Sequence, residues 1–218
     1  MNTRLKLFYF PTPNGRKVSI ALEEMGLDYE IVPVEITKGA QQEPAFLAVN
    51  PNGRIPALTD GEIRLFESGA ILQYLGRKTG QLYPADEVGR AWVDSWLFWQ
   101  MAGLGPMAGQ AGYFRVYAPE VVPFAIERYT KETRRLYGVL DARLADRPYI
   151  AGTYSIADIA CYPWIVPHAG HGQALADHPH LARWFAAIGN RPAVRRTYEG
   201  VEDVYSRKSR PVASRPAA

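Results

Sequence analysis

The hydrophobic rhythm of this chain changes once, at Gly80-Gln81-Leu82-Tyr83-Pro84, and the two sides of that break call for different architectures. Before it, short apolar runs alternate with helical spacings. Leu5 to Phe10 reads as a strand, and Gly15 to Glu24 as a helix whose buried side carries Val18, Ile20, Ala21, Leu22 and Met25. Tyr29 to Val34 is β-branched and apolar, and Pro44 to Val49 is a short helical turn ended by Asn50-Pro51-Asn52-Gly53. Ile55 to Thr59 and Ile63 to Phe66 flank Asp60-Gly61, a strong hairpin signal, and Ser68 to Thr79 returns to helical spacing. The order β-α-β-α-β-β-α predicts an α/β domain with a mixed sheet over 1–83.

After the break only helical patterns remain. Val88 to Met101 carries Trp92, Trp96, Leu97 and Trp99, and Gly103, Gly105 and Pro106 should interrupt or kink it. Pro123 to Leu144 is a long helix. Ser155-Ile156-Ala157-Asp158 has the residue types of a capping box, opening a helix that holds Cys161, and His180 to Ile188 reads as a further helix. An all-α domain is therefore predicted over 88–204. The Ser, Arg, Lys, Pro and Ala of 205–218 read as a mobile tail.

Composition narrows the function classes. Of 218 residues, 47% are hydrophobic and 22% charged, which fits a soluble globular protein with a sizeable core. The net charge of +3 is spread along the chain without a basic stripe, which argues against nucleic acid. No run approaches the roughly 20 apolar residues that cross a bilayer. The N-terminus lacks a signal peptide's apolar stretch. Cys161 alone permits no internal disulfide, and its apolar helix suggests a buried structural thiol. His168 and His171, or His178 and His180, could in principle bind metal. No acidic or thiol cluster accompanies them, so a solvated loop and no metal are expected. A reducing cytoplasm fits best.

The turn Thr12-Pro13-Asn14-Gly15 stands where redox folds of the βαβ kind often carry two cysteines. Asn14 occupies the expected N-cap position, and capping alone would account for it. The same turn could also stabilise an arriving thiolate, through Thr12 Oγ, the Asn14 side-chain NH₂ and the positive end of the helix dipole. Neither residue is a base at neutral pH. Ile55-Pro56 opens a strand, and a cis bond there would leave the Ile55 backbone free to pair with a peptide. In "FESGAI", Ser68 and its N–H at a helix start suit a carboxylate, and Glu67 suits an ammonium group; capping is the simpler alternative. Together the three places describe a groove for a small peptide with a zwitterionic end and a thiol.

"NPNGRIPAL", "FESGAILQYL" and "YSIADIA", set in this domain order, resemble a cytosolic glutathione transferase from about residue 5 to 200. "PTPNGRKVSIALEE", "LFWQMAGLGPMAGQ" and "AIERYTKET" are similar to the bacterial Nu-class enzymes, related to the yeast Ure2-like group. The resemblance implies a thioredoxin-like domain docked on a helical domain, usually in a homodimer. It implies a cis Ile55–Pro56 bond, an Ile55 backbone that pairs with the cysteinyl part of glutathione, and Glu67 and Ser68 holding the γ-glutamyl head. By the same resemblance Gln41 and Arg128 are further glutathione contacts, and Thr12 and Asn14 face its sulfur. Other classes use a Tyr, Ser or Cys near the first strand; here Tyr9 is expected to pack in the sheet, and Ser19 faces the wrong way. The activity implied is that of a disulfide-bond oxidoreductase using two glutathione molecules or one oxidised glutathione, with weak transferase or peroxidase side activity. Two alternatives stand beside it. One is a conjugating transferase with an apolar pocket lined by Tyr113, Phe114 and Tyr117; the other is a glutathione-binding sensor with no enzymatic role.

Overall fold

The computed structural model describes residues 5–200. The first part of the chain builds a four-stranded mixed sheet in the order β2-β1-β3-β4. Strand β1 (Leu5–Tyr9) runs parallel to β2 (Tyr29–Pro33), and helix α1 (Pro13–Glu24) makes the crossover between them. Two short 3₁₀ turns and α2 (Pro44–Leu47) follow. Strands β3 (Ala57–Asp60) and β4 (Ile63–Phe66) then form the hairpin that Asp60-Gly61 predicts, with Asp60 opposite Ile63. β3 pairs antiparallel with β1, so the sheet is mixed as expected. Helix α3 (Ser68–Thr79) closes the unit, ending on Gly80, whose φ of 67° suits glycine at a helix C-terminus.

Beyond the break every regular element among the described residues is helical, apart from isolated bridges around Tyr149–Thr153. α4 (Glu87–Trp99) does not break at the predicted glycines. It passes through a π-helical turn, Gln100–Leu104, into α5 (Gly105–Gly112), and a second π turn, Tyr113–Tyr117, follows. The wider winding keeps the chain helical while letting Gly105 and Pro106 be accommodated. Then come α6 (Pro123–Arg143), α7 (Ile156–Ile165), α8 (Pro179–Gly189) and α9 (Pro192–Tyr198). The expected tail at 205–218 lies outside the described residues. Among the described residues no helix is long and apolar enough to cross a membrane.

One buried cluster runs through both parts, from Leu7, Ile20 and Leu22 through Leu72 to Tyr137, Ile159 and Trp184. Helix α1 is its pivot. Buried from Gly15 to Leu22, it packs on α3 behind the sheet and on α7 and α9 of the helical part. At its C-terminal end the Glu24 carboxylate takes two hydrogen bonds from the Arg191 guanidinium, at 2.6 and 2.8 Å, and Arg196 reaches Glu23 at 2.7 Å. A planar fork on a carboxylate fixes orientation as well as distance. The N-terminal end of α1 is thereby held at the seam between the two parts.

The capping box of α7 is present as expected. Asp158 accepts the Ser155 N–H at 3.0 Å while the Ser155 hydroxyl oxygen accepts the Ala157 N–H at 3.3 Å. Asp158 also accepts from the Ile150 N–H at 3.0 Å and the Trp184 indole at 2.8 Å. Complete burial pushes its carboxyl up to about 6, with these hydrogen bonds opposing the rise. With the Ser155 hydroxyl, which donates to it at 3.3 Å, four donors converge on one buried carboxylate that ties α7 to α8 and to the loop before it.

Candidate active site

Helix α1 starts earlier than its apolar spacing predicts. Thr12, extended at φ −107° and ψ 163°, is the N-cap, and its Oγ accepts the Gly15 N–H at 3.3 Å. Pro13 enters the first turn at no hydrogen-bonding cost, because the first N–H groups of a helix have no intrahelical acceptor. Asn14, expected at the cap, therefore lies inside the first turn with its side chain released from capping. Its Oδ1 accepts the Trp164 indole N–H at 2.9 Å, across the seam from α7. An indole N–H only donates, so this bond fixes which end of the amide faces Trp164 and turns the Nδ2 donors away from it.

The loop before β3 is pinned by Asn50, which is buried. Its Oδ1 accepts the Asn52 N–H at 2.9 Å and its Nδ2 donates to the Arg54 carbonyl. Gly53 sits at φ 61°, and a Cβ there would come within 2.8 Å of the Gln42 side chain. The Ile55–Pro56 bond that follows is cis. Ile55 lies just outside β3, and among the described residues its N–H and carbonyl have no partner.

Helix α3 opens on Glu67, whose φ of 65° and ψ of 114° are rarely adopted outside glycine. Such backbone geometry costs on the order of 1–3 kcal/mol and persists where its surroundings impose it. Ser68, next in line, is buried, and a Cβ on Gly69 would meet Met101 at 3.3 Å, so α3 and the first π turn approach closely.

These three places border one continuous depression. A cavity of about 540 Å³ is lined by Asn14, Ile55, Glu67 and Ser68 on the sheet side, and by Gly105 and Gly109 of α5 on the other. A second of about 330 Å³ brings in Thr12 and Gln41 and shares Asn14, Arg54, Ile55 and Trp164 with the first. Gln41 Oε1 is buried and has no partner among the described residues. Six of the seven residues singled out from sequence are thus brought together. The seventh, Arg128, is not. It stands exposed on α6 in a separate groove of about 630 Å³ beside Phe124 and Glu132.

The family model for the glutathione S-transferase N-terminal domain matches residues 3–77, and that for the C-terminal domain matches residues 108–192. The chain belongs to the glutathione S-transferase family. It is 47% identical to the disulfide-bond oxidoreductase YfcG of Escherichia coli (strain K12) over 197 residues, covering 87% of this chain and 92% of that protein. A glutathione transferase from Burkholderia graminis, solved with two glutathione molecules per subunit, is 46% identical with a TM-score of 0.85, covering 89% of this chain and 87% of that one. One from Pseudomonas putida, solved with one glutathione disulfide per subunit, is 40% identical with a TM-score of 0.86, covering 92% and 93%.

Neither Tyr9 nor Ser19, the tyrosine and serine near the end of the first strand, lines either cavity, and neither does Cys161. Tyr9 is buried in the sheet core, and the Ser19 hydroxyl donates to the Arg16 carbonyl at 3.1 Å. Cys161 is fully buried and burial pushes its thiol up, the opposite of an activated cysteine. The histidines correct an expectation. His171 and His178 are buried rather than solvated, and His171 stacks on Trp164 with centroids 6.3 Å apart. Burial lowers its imidazole to about 3, so it stays neutral behind the Trp164 ring. Among the described residues no group of three or more His, Cys, Asp or Glu side chains could hold a metal ion.

Lys17, Arg54, Gln100 and Trp164 line the larger cavity although nothing in their sequence settings singled them out. Lys17 is fully buried, and its Nζ donates to Gln100 Oε1 at 2.6 Å and to Ser68 Oγ at 3.3 Å. Burial lowers its ammonium to about 7, against weaker opposing influences from Cys161 and Glu67.

Proposed function

We propose that this chain is a glutathione-dependent disulfide-bond oxidoreductase whose reacting thiols belong to bound glutathione. The observation that carries the reading is Asn14: a fixed amide donor at the positive end of α1, facing a cavity whose lining holds no thiol. The relatives support it, since one is named for this activity and two others hold two glutathione molecules or one glutathione disulfide. The cavity volumes lie in the range of small-molecule sites.

The donor and acceptor set fits such a peptide. Glu67 receives its ammonium group, and Ser68 offers a hydroxyl and an N–H at the head of α3 to its carboxylate. The unpartnered Ile55 backbone pairs with the cysteinyl unit by strand addition. Gln41 Oε1, buried without a partner, gains an N–H donor from the ligand. Thr12 Oγ already accepts from Gly15, which leaves its own hydrogen free to point at sulfur. Asn14 Nδ2 supplies a second donor. Both favour the ionised thiol, and thiolate is the species that exchanges with disulfides. Glutathione supplies the nucleophile, and a second thiol completes reduction of the substrate disulfide. Arg128, standing in its own groove, would serve the site of a second copy in a homodimer. A reducing compartment such as the cytoplasm suits this chemistry.

The wall facing Asn14 is built from Gly105, Pro106, Gly109 and Gln110, not from Tyr113, Phe114 and Tyr117. Phe114 instead stacks on Tyr129, with centroids 5.6 Å apart. Conjugation of bulky aromatic electrophiles is therefore expected to be slow. The test sets reduction of a small model disulfide, coupled to glutathione reductase and NADPH, beside conjugation of an aromatic halide. Fast reduction with slow conjugation is expected; the reverse ranking would replace this reading with that of a conjugating transferase.

Trp164→Phe leaves an aromatic ring beside His171 but removes the indole N–H that holds Asn14, together with part of the ring volume. A neutral hydrogen bond contributes about 0.5–1.5 kcal/mol net, so disulfide turnover should fall roughly fivefold. Steady-state rates at saturating glutathione check this.

A further inference from the structure

Lys17 enters the floor of the larger cavity from α1 and is 1% exposed. Its Nζ contacts Gln100 Oε1, Ser68 Oγ and, at 3.9 Å, Met101 Sδ, none of which is an anion. Among the described residues no carboxylate lies within 4.0 Å of it. The titratable groups that face it are Glu67, at the head of α3, and Cys161, from α7, whose thiol burial keeps neutral. The π turn after α4 presents Gln100 and Met101, which do not titrate. A buried ammonium without an anionic partner is unfavourable, and the positive end of the α3 dipole beside it adds to the penalty. The lowering of Lys17 to about 7 agrees with this geometry.

We propose that Lys17 is an anion-recognising residue of this cavity, which takes up a proton when a carboxylate is seated on Ser68, so that ligand binding and protonation are coupled. The inference rests on the glutathione reading above and adds which ligand charge the buried lysine answers. Ser68 is the link. Its Oγ accepts from Lys17 and its own hydrogen is given only to the weak acceptor Met101 Sδ, at 3.6 Å; turned instead to the incoming carboxylate, it places the negative charge one hydroxyl away from Nζ. Lys17 acts through Ser68 rather than by touching the ligand, and is a positioning residue.

The direction of the coupling follows. Binding raises the lysine's pKa above its free value of about 7. Below that value the lysine is already charged and affinity is flat. Above it a proton must be drawn from solvent, so affinity weakens as pH rises, by at most about tenfold per unit.

The experiment is calorimetric binding of S-methylglutathione, which has no free thiol to titrate, at pH 7.5 in buffers of different ionisation enthalpy. The wild-type chain should take up a measurable fraction of a proton per site, since the free lysine is only partly protonated at that pH. Lys17→Met should abolish the uptake and flatten the pH dependence of Kd. Gln100→Glu, which gives Lys17 an anion of its own and keeps the lysine, should abolish it too. Binding by the wild type without proton uptake, or uptake as large as the wild type's in either variant, would overturn the role of Lys17 while leaving the glutathione reading standing. Failure of the wild type to bind S-methylglutathione at all would overturn that reading and this inference with it.

Discussion

Asp158→Ala should lower the unfolding free energy by about 4 kcal/mol and Tm by roughly 10 °C. The side chain is fully buried, and removing it strands the N–H groups of Ile150 and Ser155 and the Trp184 indole without an acceptor. Each stranded buried donor costs on the order of 1–3 kcal/mol, partly offset by relief of the penalty for burying the carboxylate. Asp158→Asn keeps one acceptor oxygen and replaces the other with an NH₂ group, so it should fall between the wild type and the alanine variant. Urea or thermal unfolding followed by circular dichroism reads both. A loss below about 1 kcal/mol for the alanine variant would mean that α7 is anchored by its apolar contacts alone.

Asn14→Ala should reduce disulfide turnover by about 10- to 100-fold, with a smaller loss of Tm than Asp158→Ala, because only the Trp164 indole N–H, at the cavity wall, loses its acceptor. A hydrogen bond to a charged acceptor contributes about 1.5–3 kcal/mol, which sets that range. Asn14 does not cap α1, so its loss should not fray the helix. Thr12→Ala makes the contrast, because Thr12 does cap it. That variant should lose turnover and, in addition, about 1 kcal/mol of stability. The bound thiol offers a second readout, since thiolate absorbance should titrate at higher pH in Asn14→Ala than in the wild type. Equal turnover in Asn14→Ala and the wild type would remove the amide from the mechanism.

Sequence carried the strands, the hairpin, the break at Gly80–Pro84 and the capping box, because each rests on local chemistry. Turn residues, alternation and cap types act within a few positions of one another. The start of α1 was misplaced by two residues because asparagine and threonine both cap helices, and only Pro13 at the first helical position distinguishes them. The π turns were missed for a related reason. Glycine and proline there read as breakers, whereas packing against α3 and α7 keeps the chain helical by widening it.

Where chemistry depends on contacts across the seam, local signals fall silent. Lys17 stands in "GRKVS", where a lysine ordinarily lies on an exposed helix face; it is buried because α3 and the first π turn cover that face. Trp164 lies 150 positions from the Asn14 amide that it orients. His171 reads as a loop residue among polar neighbours and is enclosed by the Trp164 ring and Gly112. Glu67 and Ser68 were legible because both stand at a helix start. Arg128 came from resemblance alone, and within one chain it stands apart from the cavity.

The central claim is that the chain tunes thiols it does not itself provide. Cys161→Ala leaves the chain without any thiol, and its effect on the glutathione-coupled reduction of a small disulfide tests that claim most directly. Turnover within about twofold of the wild type is the expected result, since the substitution lies in the core and outside both cavities. Loss of disulfide reduction in a variant with an unchanged circular dichroism spectrum would contradict the account and make Cys161 a reacting group.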